Sequence, residues 1–290
     1  MRALAYTGLN GCEVRNIPIP RLQYPTDAVV RMIYTSICGT DLHILKGDVP
    51  TVEKGRILGH EGVGTIASLG SAVPDFFVND LVLISCISAC GICSPCSKGM
   101  RSHCTTGGWE LGNVIDGTQA EYVRIPHASS SLYKLPGNAH LPQMVSFSDA
   151  LPTGLECGTL NANIKPGTSL AIVGSGPVGL AAMMTARLYS PSLIVVMDIE
   201  DSRLEHASRL GANKTINMKG TDAMEELESI TGGKGFDAVI EAAGTSSSFE
   251  LCQRLLGPGA TLANIGVHGE NSPLALGELW NRNISGWAAT

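Results

Sequence analysis

Four cysteines, Cys90, Cys93, Cys96 and Cys104, share the stretch SACGICSPCSKGMRSHC in the spacing C-x2-C-x2-C-x7-C. Disulfides, a metal cage and ordinary loop thiols are the chemical options. The chain has nine cysteines, an odd number, and no export signal, so a disulfide framework is disfavoured. Thiolates this close repel one another unless a cation sits among them, and the spacing suits a tetrahedral zinc site. Free loop thiols are the alternative. Four thiolates close a zinc site to water and substrate, so this one is structural and catalysis must be sought elsewhere.

A second group is spread over two segments. In SICGTDLHILKG, Cys38 is followed by Thr40, Asp41 and His43, and in ILGHEGVGTIASLG, His60 and Glu61 sit between glycines. A soft thiolate with an imidazole is a plausible zinc pair, but two ligands are too few. A third could come from any of several carboxylates or cysteines, and a buried cysteine with a core histidine is the competing explanation.

The third group is AIVGSGPVGL, with Gly174, Gly176 and Gly179 in the G-x-G-x-x-G spacing directly after a strand and opening a helix. A tight turn, close backbone approach to a pyrophosphate and helix N-terminal amides facing its charge require those glycines. Pro177 is tolerated because its position has no intrahelical N–H partner. Asp198 ends the next strand, LIVVMD, where a carboxylate binds ribose hydroxyls and repels a 2′-phosphate. This favours NAD over NADP.

The elements that must position these groups change character near residue 150. The first part reads as mostly β: DAVVRMIYTSI, RILGHEGVGTIASLG, DLVLISC and AEYVRI are β-branched runs between turn residues, with Asn79-Asp80 as one turn. The second alternates strands and helices from SLAIVG to ATLANIGV, which predicts a doubly wound parallel sheet. The fold class is therefore α/β, with a zinc-binding domain over 1–152 and a Rossmann domain over 153–290. With 290 residues and 44% apolar content, two cores can be filled. A net charge of −6 with scattered Lys and Arg argues against a nucleic-acid partner. The uncharged stretch 166–186 is interrupted by GSGP and reads as strand, turn and helix, so no membrane span is expected. The start, MRALAYTGLNG, lacks a sustained apolar core or cleavage signal and predicts a cytoplasmic protein.

GHEGVGTIASLGSAV, the Cys90–Cys104 loop, CGTDLH and the glycine fingerprint, which occur along the chain in the family's order, resemble the medium-chain zinc-containing alcohol dehydrogenases, specifically their secondary-alcohol branch. The resemblance runs from residue 1 to about residue 282. It implies a GroES-like catalytic domain, two zinc ions per chain, NAD, an alcohol or carbonyl substrate and a homo-oligomer. Cys38 and His60 would ligate catalytic zinc, with Glu61 beside the metal as an occasional or supporting ligand. In SDALPTGLECG, Asp149 matches the third ligand, and Cys157 lies off the family's position. Thr40 matches the hydroxyl that starts a proton relay and His43 the imidazole that ends it. Thr153 and Val178 match residues packing on the nicotinamide, Arg203 one near the adenosine ribose, and Gly266 and Val267, at the end of ATLANIGV, cofactor-binding positions. Trp109 matches a substrate-pocket wall and could equally be core.

In that family a last strand and a segment returning to the catalytic domain follow the position of LWNRNI, whereas here SGWAAT ends the chain. Five strands of the second domain are expected, with its C-terminal end incomplete. Two readings follow: an active zinc and NAD-dependent alcohol dehydrogenase, or a shortened relative that binds zinc and NAD or full-length partners with little turnover.

Overall fold

β-branched residues that alternate with polar ones pair into antiparallel strands with one buried face, and the first part of the chain does this. A computed structural model describes residues 1–288. It parts into two units, Met1–Asp149 and Ala150–Thr290, where the sequence reading set the division after residue 152.

In the first unit, β1 (Arg2–Gly8) and β2 (Gly11–Asn16) form a hairpin. β3 (Ala28–Thr35), β4 (Gly62–Leu69), β5 (Leu81–Ile84), β6 (Tyr122–Ile125) and β7 (Leu132–Lys134) form an antiparallel sheet in the order β6-β3-β4-β5-β7. Ala28, Val30, Ile66, Val82, Ile84, Val123 and Ile125 bury one face of it. Asn79, at φ 73°, makes the turn expected before β5, and Asp80 Oδ2 accepts the Phe77 N–H at 2.9 Å. The helix α1 (Gly39–Lys46) follows β3. Register aligns Thr35 of β3 with Gly62 of β4, and Gly62 with Ile84 of β5. Cys38, His60 and Cys86 leave the sheet within three residues of that one row.

The second unit is a parallel sheet in the order β10-β9-β8-β11-β12-β13. Its strands are β8 (Ser169–Val173), β9 (Leu193–Asp198), β10 (Lys214–Asn217), β11 (Phe236–Glu241), β12 (Leu256–Asn264) and β13 (Ser285–Ala288). Helices α2 (Pro177–Ala186), α3 (Asp201–Leu210), α4 (Ala223–Thr231) and α5 (Ser246–Leu255) connect them. Strands covered on both faces lose the alternating pattern: Leu170, Ala171 and Ile172 are all fully buried, supplying two separate apolar clusters. The chain runs outward from β8 to β10, then returns to the other side of β8, which is the Rossmann order.

One expectation is corrected. The sheet has a sixth strand, because residues 285–288 add to β12 in parallel register, Thr261 opposite Ser285 and Leu262 opposite Gly286. Ser-Gly-Trp-Ala carries no strand pattern of its own, and the open edge of β12 supplies the hydrogen-bond partners. The stretch 166–186 divides into β8 and α2, and among the described residues no helix is long and apolar enough to cross a membrane.

Leu170, fully buried in the central strand, tests the core of the second unit. Leu170→Ala should lower its unfolding free energy by about 2–5 kcal/mol, read by calorimetry or urea titration. A loss well under 1 kcal/mol would mean that the cluster is loosely packed.

Candidate active site and metal sites

The cysteine loop is closed at its base by Ser88 and Gly108, each of which donates its N–H to the other's carbonyl, at 2.9 and 2.6 Å. Gly107 is required there, since a Cβ would lie 2.3 Å from the Ser88 carbonyl oxygen. Sγ atoms of Cys90, Cys93, Cys96 and Cys104 lie within 4.8 Å of one another, and Cys104 Sγ accepts the Cys90 N–H at 3.2 Å. Tetrahedral Zn–S bonds of about 2.3 Å fit that spacing. The electrostatics point the same way. Backbone amides of Thr105 and Cys96 bring the Cys93 thiol down to about 6, while burial and the adjoining Cys93 sulfur push Cys96 up to about 12. Burial opposes ionisation of Cys104, but the amides of Cys90 and Thr106 outweigh it and lower its pKa. Such a set holds part of its negative charge by itself and all of it around a cation.

The second donor set comes from three segments. Cys38 immediately precedes α1, and its N–H is held by Asp41 Oδ2 at 2.9 Å. The same oxygen accepts Gln119 Nε2 at 2.9 Å, which fixes the buried Asp41. His60 follows Gly59, whose φ of +93° and close approach to Thr118 and Gln119 leave no room for a side chain. Asp149 completes the set: its Oδ2 is 3.2 Å from His60 Nε2 and 4.0 Å from Cys38 Sγ. One donor atom from each of the three lies within 4.8 Å of the others. Burial alone would lower the pKa of His60, yet hydrogen bonds and charge from Asp149 and Cys38 lift it to about 10. A thiol, an imidazole and a carboxylate gathered this closely form a donor set that zinc would fit.

Glu61 is buried beside this set without joining it; its carboxylate accepts the Ser36 hydroxyl, and its main-chain oxygen accepts Thr35 and Thr118 hydroxyls, each at 2.9 Å. Thr40 Oγ1 lies 3.6 Å from Cys38 Sγ. His43, one helical turn on, has Nδ1 bound to Asp48 Oδ2 at 2.8 Å. Trp109 meets the His60 ring edge-on at 6.0 Å and packs with Tyr6, Ile44, Val52 and Leu58. Cys157 packs against the core of the second unit instead.

Cys86 was not anticipated. Its thiol donates to Asp149 Oδ1 at 3.3 Å, and burial among Asp149, Glu61 and Cys38 pushes its pKa well up. Only its place two residues beyond β5 could have signalled it.

In the second unit, Gly174, at φ +102°, passes so close to Ala242 that a Cβ would sit 2.7 Å from its carbonyl carbon. A Cβ on Gly179 would lie 2.0 Å from the Gly174 oxygen, whereas Gly176, immediately before α2, faces open space. Pro177 is the first residue of α2, and Val178 packs against the underlying core. Asp198 accepts three backbone N–H groups: Ser175 at 2.7 Å on Oδ2, and Ile199 and Glu200 at 2.7 and 3.0 Å on Oδ1. Arg203 approaches it at 3.7 Å. Gly266 and Val267 follow β12 at the same carboxyl edge of the sheet, and Thr153 ends a helical turn, Ala150–Thr153, that runs into a π-helical segment, Gly154–Leu160. The sequence reading also missed Glu241. This fully buried carboxylate ends β11, accepts the Ala243 and Gly244 N–H groups at 2.9 Å each, and meets His268 Nε2 at 3.3 Å.

A GroES-like unit with two zinc-type donor sets, followed by a Rossmann unit, defines a zinc-binding dehydrogenase. Residues 24–137 match the family model described as alcohol dehydrogenase GroES-like domain, and residues 177–287 the one described as zinc-binding dehydrogenase. An alcohol dehydrogenase of Cupriavidus necator is 39% identical over 292 residues, covering 95% of this chain and 79% of that protein. The solved structure of zinc dependent alcohol dehydrogenase 2 from Streptococcus pneumonia, in its apo form, is similar at TM-score 0.95 and 44% identity, over 100% of this chain and 83% of that one. An alcohol dehydrogenase from Thermus sp. ATN1 is similar at TM-score 0.90 and 33% identity, over 100% and 84%. The chain belongs to the medium-chain, zinc-type alcohol dehydrogenases.

Zinc uptake by the Cys38–His60–Asp149 set must displace the proton that His60 holds at any pH below about 10. Because the pKa is raised, acidification favours the proton over the metal. Zinc affinity of this set should therefore climb with pH up to about 10, by about tenfold per unit for each proton displaced. Chelator competition at stepped pH measures it, and a flat profile would contradict the assignment.

Proposed function

We propose that the protein transfers hydride between an alcohol, secondary or small primary, and NAD, giving a ketone or aldehyde. The observation that carries this reading is the convergence of Cys38, His60 and Asp149 within 4.8 Å, beside a separate four-cysteine set. In this reading the trio holds the catalytic zinc and Cys90, Cys93, Cys96 and Cys104 the structural one. When bound, zinc supplies a Lewis acid that lowers the pKa of an alcohol, and NAD supplies the hydride acceptor.

The chain's own residues then have defined tasks. Thr40 Oγ1, beside Cys38, receives the alcohol's proton, and His43 takes it onward. Asp48 holds His43 Nδ1, which leaves Nε2 as the accepting nitrogen. Trp109 forms a wall against the His60 edge. Gly174, Gly176, Pro177 and Gly179 admit the pyrophosphate to the start of α2. Asp198, fixed by three amides, accepts ribose hydroxyls with Arg203 nearby, while Thr153, Val178, Gly266 and Val267 flank the nicotinamide. Glu61 supports the metal from the side. A reducing, cytoplasmic setting suits two sites that depend on unoxidised thiols, with nine cysteines free of disulfides. Homo-oligomeric assembly is part of the proposal, to be read by light scattering.

NADH appearance across primary, secondary and vicinal-diol alcohols tests the activity. Asp149→Ala should abolish turnover and remove one of two zinc ions, sparing the four-cysteine set; unchanged zinc content and turnover would place the third ligand elsewhere. Asp198→Gly should reduce the preference for NAD over NADP by about tenfold or more, the weight of a charge-assisted hydrogen bond. Comparable binding of both nucleotides by the unaltered protein would remove Asp198 from the argument.

A further inference from the structure

Asp149 lies outside any strand, yet its carboxylate has to meet Cys38 and His60. Two neighbours fix it. Cys86 donates its backbone N–H to the Ser148 carbonyl at 3.1 Å and its thiol to Asp149 Oδ1 at 3.3 Å. Ser148 is tied in turn to Gly62, accepting that N–H on Oγ at 3.0 Å and donating to its carbonyl at 3.3 Å. Gly62 stands two residues after His60 and opposite Ile84, two residues before Cys86. The carboxylate is thus gripped on one side by the ends of two paired strands.

The two oxygens of Asp149 are consequently unlike. Oδ1 faces the Cys86 thiol, while Oδ2 faces His60 Nε2 at 3.2 Å and Cys38 Sγ at 4.0 Å. Cys86 is not one of the donors that cluster within 4.8 Å, so it stands behind the set rather than in it. A carboxylate with both oxygens unengaged can rotate, presenting one oxygen or two. A donor on one oxygen removes that freedom and directs the other.

We propose that Cys86 is a positioning residue of the catalytic metal site: its thiol, donating to Asp149 Oδ1, holds the carboxylate so that Oδ2 alone is offered to the metal. This rests on the reading of Asp149 as third ligand. The sequence leaves Cys86 unassigned, and its half-buried place beyond β5 sets its thiol against Asp149.

The test uses the full chain, stripped and reloaded with Co2+ or Zn2+, and compares Cys86→Ala, Cys86→Ser and Asp149→Ala. Chelator competition reads affinity at each set, visible absorption reads the cobalt geometry, and thermal unfolding reads integrity. Cys86→Ala should weaken the three-ligand set by about 10–100-fold and alter its cobalt spectrum, while the four-cysteine set stays unchanged. Cys86→Ser, whose hydroxyl still donates, should recover most of that affinity. Should Cys86→Ala not fold, Cys86→Val makes the same comparison against Cys86→Ser. Affinity unchanged in folded Cys86→Ala or Cys86→Val, with Asp149→Ala losing the site, overturns the positioning role. Loss of a second thiolate-to-cobalt band in Cys86→Ser also overturns it, by making Cys86 a ligand. If Asp149→Ala keeps the site intact, the ligand assignment fails instead.

Discussion

Donor atoms that share negative charge resist being gathered, and the first unit is built to gather them. Cys38, His60 and Asp149 bring a thiol, an imidazole and a carboxylate within 4.8 Å, in a space where His60 is almost wholly buried. The consequence is visible in His60, whose imidazole is drawn up to about 10 although burial pulls the other way. The scaffold resists the repulsion through Asp41 under Cys38, the sterically closed Gly59 before His60, and the Ser148–Gly62 clasp next to Asp149. The four-cysteine loop solves the same problem with backbone amides turned toward sulfur.

In the second unit the corresponding constraint is backbone proximity. Gly174 and Gly179 touch neighbouring main chain so closely that any side chain would collide, and this lets the strand-to-helix turn close. Asp198 then ties that turn to the end of β9 through the Ser175 amide. A carboxylate that accepts three amides is held in one orientation at the end of β9. Glu241 performs a similar binding of loops after β11, through Ala243, Gly244 and His268. At both strand ends, a buried acid organises the backbone of the loop that follows.

What was legible in the sequence follows from how far apart the cooperating residues are. The four cysteines announce themselves because all lie in one loop, and the glycine fingerprint because strand, turn and helix are contiguous. Cys38 and His60 were recognisable by type, but Asp149, 111 residues from Cys38, could be named only through family resemblance. Asp48, Cys86 and Glu241 were missed because their parts depend wholly on tertiary contact: a thiol after a β-branched run looks like any buried cysteine. Strand β13 was missed for a related reason. Ser-Gly-Trp-Ala has no alternation to read, and pairing with β12 gives it its form.

The same distinction separates the two donor sets. The four-cysteine loop is drawn together by its own turns and the Ser88–Gly108 closure, and is tied to the rest of the unit by Ser130, whose hydroxyl donates to the Ala89 carbonyl, and by His127 against Thr106. The three-ligand set needs β3, β4 and β5 in register, because Cys38, His60 and Cys86 depart from the row in which Thr35, Gly62 and Ile84 pair. A slip of one residue in that register would turn alternate side chains to the other face and dissolve the set. A metal bound at the loop would therefore stabilise local structure, whereas one bound at the second set would stabilise the register of the sheet itself. Gly62 and its neighbour Glu61 collect hydrogen bonds from Ser148, Thr35 and Thr118, so the strand pairing and the placement of the donor set rest on the same contacts.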